Sequence, residues 1–317
     1  MDKRKLGNSG LDIAPLALGC NVFGWTADEP TSFTLLDAFL ASGFNYIDTA
    51  DSYSRWVPGN KGGESEAIIG RWLKQRGGRD QVIIGSKVGM PMPGLGKGGL
   101  SRRWITQEVE NSLRRLQTDY IDLYMAHIDD PDVPIEEPLE TFAGLIREGK
   151  VRAIGASNFS SLRLQQALDA STASNLPRYQ SLQPNYSIAE RSEFEGALQS
   201  LCLREKIGVI SYYSLANGFL TGKYRSKADT TGAARGAFVE KYINERGSRI
   251  LAALDAVASQ CEARPSQIAL AWLMARPGIT APIASARSLD QLEEIMKAAR
   301  IKLDQTQIDL IDDASRP

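Results

Sequence analysis

The chain has 317 residues, 43% of them hydrophobic and 24% charged, with 37 Lys and Arg against 38 Asp and Glu and a net charge of −1. No basic run suits nucleic acid and no apolar stretch reaches the roughly 18–20 residues that cross a bilayer, so neither nucleic acid nor membrane is expected as a partner. Three scattered cysteines, Cys20, Cys202 and Cys261, read as reduced thiols of a cytoplasmic protein, and a single histidine, His127, excludes a histidine-rich metal site.

Taken in order, the first twelve residues, turning at Asn8, Ser9 and Gly10, predict a short β-hairpin. Strand and helix patterns then alternate. Residues 15–20 predict a strand and 31–42 a helix, followed by strand 44–47 and helix 64–74. Next come strand 81–87 and helix 104–116, whose Ile105, Val109, Leu113 and Leu116 stand at spacings of four, four and three. Strand 120–127 leads to helix 136–149, which Gly149 ends. Strands 150–155 and 181–183 precede helices 160–170 and 193–204, and strands 208–212 and 279–283 follow, with helix 289–299 behind the last.

Eight strands backed by helices predict a (β/α)8 TIM barrel, one domain spanning 1–317. The competing open doubly wound sheet lacks the G-x-G-x-x-G that should follow its first strand. About 65 residues separate the last two strands, against roughly 2–6 in an ordinary loop. They hold a charged, Gly/Ala-rich segment, 223–247, then helices 248–263 and 265–275, with Pro265 suited to a first helical turn. Residues 303–314 predict a further helix outside the eightfold count.

Chemistry in such a barrel belongs at the C-terminal ends of its strands. Those ends carry Asp48, Lys87 and His127, and Tyr53 lies five residues past Asp48 in FNYIDTADSY. A free phenol, with a pKa of about 10, is a poor acid at neutral pH. An adjacent ammonium would lower that value, and a carboxylate behind it would keep the ammonium charged and aimed. Asp48, Lys87 and Tyr53 therefore form a candidate proton relay with Tyr53 as general acid, and His127 a candidate donor to a substrate oxygen. Each has a plainer role open to it: Asp48 as a turn cap, Lys87 as its ion-pair partner, His127 as a core histidine, Tyr53 as a surface-packing ring.

Across nearly its whole length the chain resembles the aldo-keto reductases, NAD(P)H-dependent carbonyl reductases on an eight-stranded α/β barrel. The resemblance rests on FNYIDTADSY, GGESE at 62–66, IIGSKVG at 83–89, DYIDLYMAH at 119–127, GKVRAIGASNFS at 149–160, GVISYYSLANGFLTGKY at 208–224 and APIASARSLDQLEE at 281–294. It implies that the family's catalytic tetrad falls on Asp48, Tyr53, Lys87 and His127, and that the hairpin closes the bottom of the barrel. It implies that Ser157, Asn158 and Gln183 hold a nicotinamide carboxamide and that Tyr212 stacks on the ring. Asn158 and Ser160 also suit a helix cap.

A pyrophosphate is expected under the loop after the seventh strand, where Leu215, Ala216, Gly218 and Leu220 can offer backbone N–H groups and Lys223 a positive charge. Segment 223–247 then serves as a clasp over the dinucleotide or as a solvated excursion. Resemblance places Ser285, Arg287, Gln291 and Glu294 around the adenosine end, although Ser288 and Gln291 also have capping-box spacing. Many relatives carry Asn where this chain has Ile295. Arg287 beside a ribose 2′-phosphate favours NADP(H), with NAD(H) left open.

Phe23, Trp25 and Trp56 are expected to wall the substrate pocket, with specificity loops at 54–62 and at 89–103, the latter including Lys97 and Arg102. Two tryptophans suit a sugar face, an aryl ring or a fatty aldehyde, so the physiological carbonyl and the oligomeric state stay open. Two further functions compete: a dinucleotide-sensing regulatory subunit, and Schiff-base chemistry at Lys87. A paired, charged lysine is a poor amine nucleophile.

Overall fold

The computed structural model describes residues 2–316 except 93, 95, 97 and 234, so Lys97 of the expected specificity loop lies outside the described residues. An antiparallel hairpin, β1 (Arg4–Lys5) and β2 (Asp12–Ile13), precedes a closed barrel of parallel strands. These are β3 (Ala17–Gly19), β4 (Tyr46–Asp48), β5 (Ile83–Val88), β6 (Ile121–Ala126), β7 (Val151–Ser157), β8 (Ser181–Gln183), β9 (Gly208–Ser211) and β10 (Ile279–Ala284). Each pairs with the next, and β10 closes on β3.

Outside lie α1 (Glu29–Ala41), α2 (Glu64–Arg76), α3 (Arg102–Leu116), α4 (Glu136–Arg147), α5 (Ser161–Ala173) and α6 (Ala197–Arg204). After β9 come α7 (Gly236–Val239), α8 (Glu245–Gln260) and α9 (Pro265–Ala275); α10 (Leu289–Lys297) follows β10, and α11 (Gln305–Ser315) packs on α8. The fold is thus the (β/α)8 barrel with an N-terminal hairpin and extra C-terminal helices. Side chains of Asp28, Ser101, Ser160, Asn244, Ser288 and Asp304 each cap the following helix by accepting a backbone N–H. No helix among the described residues is long and apolar enough to cross a membrane.

Two apolar clusters follow from strand alternation. One lies between barrel and helices; the other fills the barrel interior with Ala17, Tyr46, Leu123, Met125, Ala153, Ile210 and Ala281. Leu6, Leu11 and Ile13 of the hairpin segment belong to that interior cluster, so they plug the barrel bottom. Asn45 fastens them: its side chain accepts from Ala14 N at 2.8 Å and donates to Asp12 O at 2.9 Å. Interior space is tight at Gly85, where a Cβ would come within 2.0 Å of the Tyr46 hydroxyl.

Two predicted helices start elsewhere than expected, and the structure decides against one alternative for a long loop. Helix 193–204 starts only at Ala197, because Gly196 takes a left-handed φ of 95° and the preceding residues form a turn. Segment 223–247 is no solvated excursion: Tyr224, Val239 and Tyr242 are buried, and Tyr242 stacks on Phe219 with ring centroids 5.3 Å apart. α8 also begins at Glu245, earlier than periodicity suggests, since Asn244 caps it.

Candidate active site

Neighbouring strands bring the four polar side chains into one corner of the barrel rim. Asp48 ends β4, in register with Gly19 of β3 and Gly85 of β5. Lys87 stands near the end of β5, and His127 follows β6 with its N–H donating to Val88 O at 2.8 Å. Tyr53 reaches the same corner from the turn after β4.

Lys87 is wholly buried and Asp48 is 1% exposed. The ammonium has three donors and places all of them: Asp48 Oδ2 at 2.6 Å, Thr49 O at 2.7 Å and Tyr53 Oη at 2.9 Å. Tyr53 Oη lies 3.1 Å from Asp48 Oδ2, to which it donates, and Gln183 Nε2 donates to Asp48 Oδ1 at 2.7 Å. Both Asp48 oxygens are therefore held, and the pair is hydrogen-bonded on every side that burial exposes to cost.

The electrostatic expectation for Tyr53 needs correction. Lys87 does not lower the phenol overall; burial first, then the charge and hydrogen bond of Asp48, hold it well above the ordinary phenol value. Burial likewise lowers Lys87, with Asp48 opposing. Tyr53 is consequently a protonated phenol at neutral pH whose oxygen already faces an ammonium. His127 is pushed well below the ordinary imidazole value, by burial first and then by Lys87 and Arg55, which leaves it neutral. Its ring centroid lies 6.0 Å from that of Tyr53.

Ser157, Asn158, Gln183 and Tyr212 form one connected group. Ser157 Oγ donates to Gln183 O at 2.9 Å, and Asn158 Nδ2 donates to His127 O at 2.8 Å. Tyr212 Oη donates to Asn158 Oδ1 at 2.7 Å. Asn158 has a left-handed φ of 59°, and Ser160 rather than Asn158 caps α5. Asn158 is therefore free of the capping duty the sequence left open to it.

In the loop after β9, Ala216, Asn217 and Gly218 all have left-handed φ. The N–H groups of Ala216, Gly218 and Leu220 donate to carbonyls within the loop, at Tyr213, Leu215 and Leu215, rather than standing free as expected. Lys223 packs over Tyr224, with Nζ 4.8 Å from the ring centroid. At the end of β10, Ser285 Oγ donates to Asn21 Oδ1 at 2.7 Å, tying β10 to the loop after β3. Ser288 caps α10, and Gln291 Oε1 accepts from Arg287 N at 3.0 Å. The Glu294 carboxylate pairs with Arg264 at 2.7 Å and accepts from Ser266 Oγ of α9. Ile295 is a buried core residue.

Of the expected pocket wall, Trp25 and Trp56 pack edge to face at 5.7 Å, and Trp56 lies 6.2 Å from Tyr53. Phe23 is not part of that wall: it is 0% exposed in the core, and its carbonyl accepts from Ser54 Oγ, so it supports the loop from beneath. Arg102 pairs with Glu140 at 2.7 Å on the helical exterior.

One residue escaped the sequence analysis. Arg235, in segment 223–247, sits over Trp25 at 5.4 Å from its ring centroid, within the field of Arg287, Tyr213 and Tyr224. Burial first lowers its pKa, and Arg287 adds to the effect. Among the described residues, Lys223, Arg235 and Arg287 have no carboxylate at ion-pair distance. A lone arginine in the Gly/Ala-rich run GAARGAF was the only signal available.

The chain is 35% identical to the uncharacterized oxidoreductase YrpG of Bacillus subtilis, over 99% of this chain and 95% of that protein. It is 34% identical to the aldo-keto reductase YhdN of the same organism, over 93% and 88% respectively. Identity to the norsolorinic acid reductase of Aspergillus flavus is 29%, over 97% of this chain and 79% of the relative. Residues 15–316 match the aldo/keto reductase family, and with a strand-end Asp, Lys and His beside a phenol on this barrel the chain belongs to that family of carbonyl-reducing oxidoreductases.

Proposed function

We propose that the protein is an NADPH-dependent reductase that reversibly converts an aldehyde or ketone to the alcohol, with Tyr53 as the general acid. The supporting observation is the triangle of Asp48, Lys87 and Tyr53, with contacts of 2.6, 2.9 and 3.1 Å. For the reaction, Tyr53 turns its O–H from Asp48 Oδ2 to the carbonyl oxygen and releases the proton there. Lys87 keeps its contact with the phenol oxygen and stabilises the charge left behind. Neutral His127 donates its ring N–H to the same carbonyl oxygen and fixes its direction. Asp48 holds the ammonium in place throughout.

A bound nicotinamide dinucleotide supplies the hydride. Ser157, Asn158 and Gln183 would hold its carboxamide, and the Gln183 amide oxygen has no partner among the described residues. Tyr212 would offer its ring face. Lys223, Arg235 and Arg287 supply positive charge that no described carboxylate neutralises, which suits phosphate and favours NADPH over NADH. Trp25 and Trp56 would line the substrate side.

The test is Tyr53→Phe. NADPH oxidation with a nitrobenzaldehyde should fall by about 10²–10⁴-fold, while dinucleotide affinity, read from tryptophan fluorescence, is retained. An active mutant would refute the acid assignment. A regulatory subunit would bind NADPH tightly and turn over no carbonyl in the wild type. Schiff-base chemistry is disfavoured because all three Lys87 donors are engaged.

A further inference from the structure

Asp51 lies on the loop between Asp48 and Tyr53, and nothing in the proposed reaction uses it. Its backbone N–H donates to Lys87 O at 3.2 Å, which ties the loop to β5. Its side chain is 0% exposed, and neither carboxylate oxygen has a hydrogen-bond partner among the described residues. Such a group is not filler. A buried carboxylate with nothing to accept from is among the costliest states a protein can hold.

The groups around it make that state worse. Glu66 on α2 and Glu108 on α3 are also fully buried, and both feel the charge of Arg115 on α3. Arg115 Nε lies 2.7 Å from Glu66 Oε2 and its Nη2 3.7 Å from Glu108 Oε2. Ser86 Oγ donates to Glu66 Oε1 at 2.5 Å, and Asn111 Nδ2 to Glu108 Oε1 at 2.8 Å. Each glutamate thus has at least one hydrogen-bonded oxygen, although Glu108 Oε2 is unpartnered; Asp51 makes no well-formed hydrogen bond through either oxygen and has only the hydroxyl of its neighbour Ser52 acting on it. Tyr124 of β6, its hydroxyl buried and unpartnered, and Lys87, already paired with Asp48, both lie within the field of Asp51. Three carboxylates share one guanidinium, and Asp51 is the one with neither oxygen in a well-formed hydrogen bond.

We propose that Asp51 carries a proton at neutral pH and so keeps a second negative charge away from the Asp48–Lys87 pair. The direction of its acidity agrees: burial first, then Glu66 and Glu108, hold the carboxyl well above the ordinary range, with Arg115 and the Ser52 side chain opposing. An ionised Asp51 would bind the Lys87 charge more firmly and disfavour the phenolate of Tyr53, in addition to straining the loop.

The sign of the pH effect follows. A carboxyl whose folded pKa is raised binds a proton in the folded state that the unfolded chain has lost, so stability falls as pH rises between the two values. Asp51→Asn reproduces the shape of the neutral acid without the proton. Urea unfolding of the full-length protein should show the ratio of unfolding constants, wild type over Asp51→Asn, climbing with pH above about pH 5, by up to about tenfold per unit. A ratio constant from about pH 5 to about pH 8 overturns the proposal.

Infrared spectroscopy gives an independent readout that a merely structural role would not move. Wild type minus Asp51→Asn at neutral pH should contain the C=O stretch of a protonated carboxylic acid, shifted in D2O. A difference spectrum showing only ionised-carboxylate bands also overturns it. If Asn is not accommodated, Asp51→Ser, smaller and equally uncharged, serves in both measurements.

Discussion

His127 illustrates how little a residue's identity says about its charge state until its surroundings are known. A free imidazole titrates near 6.5, yet burial, Lys87 and Arg55 all act against its cation here. The folded state therefore resists protonation that the unfolded chain accepts, so this residue makes stability fall as pH drops below about 6.5. Because it is the sole histidine, its ring resonances need no assignment. They should keep neutral-imidazole shifts from about pH 8 down to about pH 5.5, and an inflection near the free value would contradict the environment described. Tyr53 obeys the same logic in the opposite direction. Its nearest cation favours the phenolate, but burial and Asp48 outweigh that, so the acid keeps its proton until a substrate oxygen competes for it.

Among the elements, the loop after β9 and the end of β10 belong together. Arg287, in the loop after β10, acts as a like charge on Arg235 of segment 223–247, an arrangement that favours an anion between or beside them. Replacing either with Ala should weaken NADPH binding, measured by fluorescence titration. Arg287→Ala should lose more NADPH than NADH affinity if it meets the 2′-phosphate, whereas Arg235→Ala should weaken both equally if it meets the shared pyrophosphate. Equal losses for both nucleotides in Arg287→Ala would remove it from the 2′-phosphate. Segment 223–247 is anchored: its Val239 and Tyr242 are buried, and Tyr242 stacks on Phe219.

At the scale of the whole molecule, the barrel interior is completed from outside the barrel. Ile13 of the hairpin is fully buried in the interior cluster, and Asn45, the residue just before β4, ties the flanking backbone to the strand that ends at Asp48. Ile13→Ala should cost about 2–5 kcal/mol, read as a lowered urea midpoint, and a loss under about 0.5 kcal/mol would show that the plug carries no weight. The carbonyl chemistry, at the opposite rim, should change little in the folded fraction.

The alternation of strand and helix, the barrel it implies, and the strand-end positions of Asp48, Lys87 and His127 were all legible from the chain alone. They depend on local periodicity and on the rule that side chains at strand ends share a rim. The protonation of Tyr53, His127 and Asp51 was not legible, because it is set by how much water eight strands and their helices jointly exclude. Phe23 turned into the core for the same reason, and Glu294 took Arg264 and Ser266 as partners across a helix contact that no local pattern encodes. Arg235 joined Trp25 only through a long loop whose path no periodicity encodes. Local pattern decided which groups stand at the rim; tertiary burial decided which of them hold a charge and which hold a proton.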